Sequence, residues 1–158
     1  MARQKEIKVS SEGVNCFGFR LLSSGLDRSD FDKNPIMLWN HNRSWKGTDD
    51  EVLPIGKWEG LRIDGTDLYA TPNFDSDDEF AAKIENKYKN GFIKAASVGF
   101  KVVEQSNAAE YILAGQTHAT VTKWKLQEIS ICDIPANPDA VCLYDDDNNI
   151  IQLNAEIN

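Results

Sequence analysis

Apolar residues along the chain fall in short runs, and helical spacing is rare. Between Lys5 and Leu22, Ile7 and Val9 alternate with charged residues while Gly13 and Gly18 interrupt the remainder, a pattern that predicts strands over Glu6 to Ser10 and Val14 to Ser23 with a turn between. Leu26 to Lys33 is rich in Asp and Ser and reads as a surface loop. Pro35 then opens a short apolar strand that runs to His41, and Asn42 to Glu51 reads as a polar, mobile loop. Trp58 to Ile63 and Leu68 to Thr71 flank Asp64-Gly65, a dipeptide suited to the positive φ angles of a tight hairpin.

Helical spacing is clear in one place. Asp75-Ser76-Asp77-Asp78-Glu79 supplies capping oxygens, Ser76 and Glu79 stand at capping-box spacing, and Phe80, Ile84 and Tyr88 recur at i, i+4 and i+8, so a helix is predicted from near Asp77 to a stop at Gly91. Phe92 to Val103 reads as a strand, Gln105 to Gln116 as irregular, and Thr117 to Asp133 as one or two strands. Pro135-Ala136-Asn137-Pro138 breaks the pattern, Ala140 to Tyr144 is a further candidate strand, and Asp145 to Asn158 is an acidic polar tail. The expectation is a mainly β fold with helices, of α+β class, in one domain over residues 1–144 followed by the tail over 145–158.

Composition narrows the function. The 158 residues include 17 Lys plus Arg against 25 Asp plus Glu, a net charge of −8, which disfavours phosphate backbones and anionic lipid; neither nucleic acid nor a membrane is an expected partner. Neither a spanning segment nor a signal peptide is evident. Cys16, Cys132 and Cys142 lack C-x-x-C spacing, so reduced thiols and an intracellular setting are expected, with Cys132 and Cys142 read as small buried residues.

Candidate chemistry rests on few residues. His41 and His118 are the two histidines, far apart and outside any H-x-x-x-H or H-E-x-x-H pattern, so neither a metal nor another cofactor is expected. His41 ends an apolar strand beside a polar loop, where a rigid element presents a side chain to a cleft. Ser97 lies in Ala95-Ala96-Ser97-Val98-Gly99-Phe100, whose small neighbours allow a peptide backbone to come close. Glu128 lies in Trp124-Lys125-Leu126-Gln127-Glu128-Ile129-Ser130-Ile131, a strand pattern that half-buries the carboxylate and so demands a partner; orienting an imidazole is one way to supply it. His118, Asp133 and the Asp75 to Glu79 run compete for that third role, the last being accounted for by helix capping. Taken singly, His41 reads as a surface histidine at a loop mouth, Ser97 as a strand serine and Glu128 as a solvent-facing edge residue.

In their order, Pro35-Ile36-Met37-Leu38-Trp39-Asn40-His41-Asn42, Pro54-Ile55-Gly56-Lys57, Ala96-Ser97-Val98-Gly99-Phe100 and Leu126-Gln127-Glu128-Ile129-Ser130-Ile131-Cys132-Asp133-Ile134-Pro135-Ala136-Asn137-Pro138 resemble the prohead maturation proteases of tailed bacteriophages. The resemblance runs from about Cys16 to Ala140. It implies a β-barrel surrounded by helices, of the herpesvirus assemblin type, and a serine endopeptidase with Ser97 as nucleophile, His41 as general base and then acid, and Glu128 orienting His41, with His118 as the alternative that the herpesvirus relatives suggest. An oxyanion hole from backbone N–H groups near Val98 and Gly99 would complete it. It further implies partners in the phage scaffold and major capsid protein, self-cleavage, a homodimer by analogy with assemblin, and a location inside the prohead in the host cytoplasm. The competing class is a non-enzymatic capsid-assembly or scaffold-binding module on the same fold, which would bind scaffold and leave it intact.

Overall fold

A computed structural model describes residues 6–15, 17–43 and 52–134. Its elements run β1 (Ile7–Ser10), β2 (Leu26–Asp27), α1 (Ser29–Lys33), β3 (Ile36–Trp39), β4 (Gly56–Asp64), β5 (Asp67–Phe74), α2 (Glu79–Lys89), β6 (Ala95–Ser106) and β7 (Thr120–Cys132). The seven strands form one sheet, ordered β1-β5-β4-β3-β7-β2, with β6 on the other side of β7. Here β1 at one end comes against β6 at the other, and the sheet curls into a half-barrel. The fold is mainly β with a few helices, as the alternating pattern predicts.

The buried apolar side chains form one core cluster. Phe19, Phe31, Met37, Ile55, Leu68, Phe100, Trp124, Leu126, Ile129 and Ile131 are all fully buried, and Trp124 meets Phe100 edge-on with centroids 5.5 Å apart, a favoured aromatic geometry. Both buried indoles find acceptors: Trp124 Nε1 donates to Leu22 O at 2.8 Å and Trp58 Nε1 to Ile129 O at 2.9 Å. Removing the body of Trp124 would cost about 3–5 kcal/mol. β7 is the hub, because β2, β3 and β6 all pair with it.

The expected hairpin forms between β4 and β5, with Asp64 as the last residue of β4 paired to Asp67 and with Gly65, at φ 64°, and Thr66 making the turn. Four expectations are corrected. The described residues of Val14 to Ser23 do not form the expected strand, because Asn15 Oδ1 accepts the N–H groups of Phe17 at 2.9 Å and Phe19 at 3.3 Å around a turn at Phe17–Gly18, a local alternative to ladder bonding. Gly18 there passes so close to Thr117 that a Cβ would lie 1.9 Å from its Oγ1; of this stretch, Leu21 makes a single bridge to Val121. Leu26 to Lys33 is ordered as β2 and α1, since Phe31 supplies a buried anchor that the Asp and Ser content masks. Arg28 clamps Asp32 and donates to Leu61 O, while the hydroxyl and amide of Ser29 hold the Asp27 carboxyl below its usual range. The strand from Pro35 ends at Trp39, two residues short of His41. The α2 cap is Asp78, whose carboxylate accepts the Ala81 N–H at 3.0 Å; Ser76 instead donates to Glu85 at 2.9 Å. Thr117 to Asp133 is a single strand, β7. The candidate strand over Ala140 to Tyr144, the tail from Asp145 and most of the loop from Asn42 lie outside the described residues.

With Asp78 as cap, Asp78→Ala removes about 1 kcal/mol and lowers the thermal midpoint by about 2–4 °C. Asp77→Ala, on an exposed residue of the same run, leaves it unchanged; differential scanning calorimetry separates the two.

Candidate active site

Two registers on β7 assemble the site. In the antiparallel β6–β7 pair, Ser97 stands opposite Ser130 and Gly99 opposite Glu128. Side chains alternate along a strand, so these four positions share one face. On the other side of β7, β3 runs parallel, with Leu38 beside Ser130 and Trp39 beside Ile131. After Trp39 the chain reverses: Asn42 N donates to Trp39 O at 3.0 Å, and Asn40 and His41 have φ of 51° and 57°. Positive φ at both central residues defines a type I′ turn, and Asn and His are among the side chains that best tolerate it. The reversal carries the imidazole back over β7.

There His41 Nε2 lies 2.6 Å from Ser97 Oγ, and Nδ1 is hydrogen-bonded to Glu128 Oε1. Ser130 Oγ donates to Glu128 Oε2 at 2.8 Å, accepts the His41 backbone N–H at 3.0 Å and stands 3.4 Å from Nδ1. Ser97 and Ser130 are 0% exposed, His41 and Glu128 3%. An ionised carboxylate only accepts, so with Glu128 ionised the proton sits on Nδ1 and Nε2 is left to accept the Ser97 hydroxyl proton. This is the arrangement that activates a hydroxyl nucleophile.

Gly99 is part of the same construction. A Cβ there would lie 2.3 Å from Glu128 Oε1 and 2.9 Å from its Cδ, so the carboxylate crosses β6 only over a residue without a side chain.

The structure thus brings Ser97, His41 and Glu128 together and leaves the competitors apart. His118 is half-buried beside Thr117 Oγ1 at 3.1 Å, and its N–H is held by Gly18 O at the far end of the β6–β7 hairpin, roughly 40 Å of extended strand away from Ser130. Asp133 is exposed, its carboxylate taking the Ile134 N–H. Asp78 caps α2. Cys132 is buried, opposite Ala95, and Cys142 lies outside the described residues. The backbone of Val98 and Gly99 runs in the β6–β7 pair. Residue-type reasoning missed Ser130, and it read Gly99 as room for a substrate backbone where the structure gives that space to the Glu128 carboxylate. Strand alternation from Glu128 points to Ser130, whereas the demand on Gly99 is visible only once the register is known.

A family model described as caudovirus prohead serine protease matches residues 9–149. The prohead protease of Enterobacteria phage HK97 is 30% identical over 104 residues, 66% of this chain and 41% of that protein, so the match spans well under half the length of that relative. No solved structure matches the chain.

Gly99→Ala should push Glu128 off His41, with an overpacking cost of about 1–3 kcal/mol. A crystal structure of the variant should have the Glu128 carboxylate displaced from His41 Nδ1 with the β6–β7 register intact, and the thermal midpoint should fall by several degrees.

Proposed function

The chain belongs to the caudovirus prohead serine protease family, and from that premise we propose that it is a serine endopeptidase of phage head maturation. It cuts scaffold, or the scaffold-like part of the capsid protein, and itself, inside the prohead in the host cytoplasm. The observation that carries the reading is the unbroken line of contacts from Ser97 Oγ through the His41 ring to Glu128. In the first half-reaction Ser97 Oγ attacks the scissile carbonyl carbon while its proton passes to His41 Nε2. The imidazolium, oriented by Glu128, then gives that proton to the departing amine and leaves an acyl ester on Ser97. Water repeats the sequence, giving its proton to Nε2 and releasing the carboxyl product. Backbone N–H groups near Val98 and Gly99 are the proposed donors to the developing oxyanion.

Two finer readings accompany this one. The half-barrel is of the herpesvirus-protease type, a reading supported by the curl of the sheet and the approach of β1 to β6. The chain also acts as a homodimer with scaffold and capsid protein as partners, its net charge of −8 disfavouring nucleic acid and anionic membrane. A purely structural assembly module would leave the contact of three buried polar side chains without a purpose.

Coexpression with the cognate capsid and scaffold proteins, followed by mass spectrometry, tests the reading. The wild-type chain should yield discrete fragments, inside assembled shells as well as in free mixture. Ser97→Ala and His41→Ala should lower the rate at least about 10³-fold, and Glu128→Gln by about 10³–10⁴-fold through the wrong tautomer. Intact partners under every condition, or fragments that persist with Ser97→Ala, would overturn it.

A further inference from the structure

The mechanism above leaves unused a buried polar side chain that touches both Glu128 and His41. Ser130 is fully buried and its hydroxyl is engaged in two directions: Oγ–H donates to Glu128 Oε2 at 2.8 Å, and the oxygen accepts the backbone N–H of His41 at 3.0 Å. Of the two carboxylate oxygens, Oε1 goes to His41 Nδ1 and Oε2 to Ser130. The serine therefore ties the carboxylate on β7 to the main chain of the turn that carries the imidazole.

We propose that Ser130 is a positioning residue for the catalytic pair, fixing the Glu128 carboxylate and the Asn40–His41 turn in one geometry. The physical case has two parts. A buried carboxylate with a vacant oxygen turns to find donors, and one rotated away from Nδ1 no longer selects the tautomer that leaves Nε2 free to accept. The turn, for its part, holds two non-glycine residues in the left-handed region, a conformation that costs of order 1 kcal/mol or more per residue and persists only where the surroundings over-determine it. The His41 N–H accepted by Ser130 Oγ, together with the Asn40 N–H accepted by Ile131 O at 3.0 Å, is that determination. The same register that sets Ser130 opposite Ser97 places all these groups on one patch of β7, so the positioning acts through Glu128 and His41, without contact to substrate.

The role rests on the protease reading for its purpose, so its test uses a readout that does not need cleavage. The full chain is labelled with ¹⁵N, and because it has two histidines, a His118→Gln background leaves the ring signals of His41 alone. In Ser130→Ala the His41 backbone amide should exchange with solvent at least about tenfold faster, and the Nδ1 proton signal should be lost to exchange. Ser130→Thr, which keeps the hydroxyl, should restore both. Where cleavage is measured in parallel, Ser130→Ala should lower kcat about tenfold with KM unchanged, in the manner of an outer-shell partner. Unchanged amide exchange and Nδ1 signal in a folded Ser130→Ala chain would overturn the proposal even if the wild type cleaves. Faster exchange and loss of the Nδ1 signal in a chain that cleaves nothing would uphold the positioning and sink the protease reading.

Discussion

The contact between the Glu128 carboxylate and the His41 ring governs the rest of the site. A charge withdrawn from water has to be met by donors, and Glu128, 3% exposed, is met on both oxygens. From this requirement follow three features that look unrelated along the chain. Position 99 has no side chain because the carboxylate occupies that space. Position 130 carries a hydroxyl because the second oxygen needs a proton donor. Positions 40 and 41 accept a strained turn because the imidazole has to arrive from beyond the end of its own strand.

β7 reconciles these demands by pairing differently along its two sides. Its antiparallel partner β6 delivers Ser97 and Gly99 at close cross-strand distance, and its parallel partner β3 aims the following turn over the same rows. Parallel pairing sets the C-terminal end of β3 beside the C-terminal end of β7, so the turn after Trp39 stands next to the rows that carry Glu128 and Ser130. The core that includes Met37, Ile129 and Ile131 keeps those registers from slipping, since a one-residue shift would exchange the polar rows for apolar ones.

Much of this is legible in the sequence. The Asp64-Gly65 hairpin, the helix with Phe80, Ile84 and Tyr88, and the strand character around Ser97 and Glu128 follow from spacing and turn chemistry, which are local. Asn15 defeated the same reasoning because a side-chain oxygen satisfying Phe17 and Phe19 leaves no trace in an apolar pattern. Phe31 did so because one buried ring outweighs a polar neighbourhood. The cap of α2 passed from Ser76 to Asp78 because Ser76 is taken by Glu85, a partner nearly two helix turns beyond the Glu79 at which the capping box looks. Convergence of Ser97, His41 and Glu128 is a property of register, and the family resemblance, not periodicity, brought the three segments together.

The dependence on β7 also orders events in time. His41 and Ser97 are separated from each other by 56 positions, and His41 from Glu128 by 87, and neither pair has a surface to meet on until β7 exists. Because chains emerge from the ribosome N-terminus first and long-range strand pairing is slow, a nascent chain that has already exposed its serine and its imidazole holds no assembled site. The last described strand is the partner on which β3 and β6 both pair, so a synthesis product that stops short of Thr120 has no strand to bring the three side chains together.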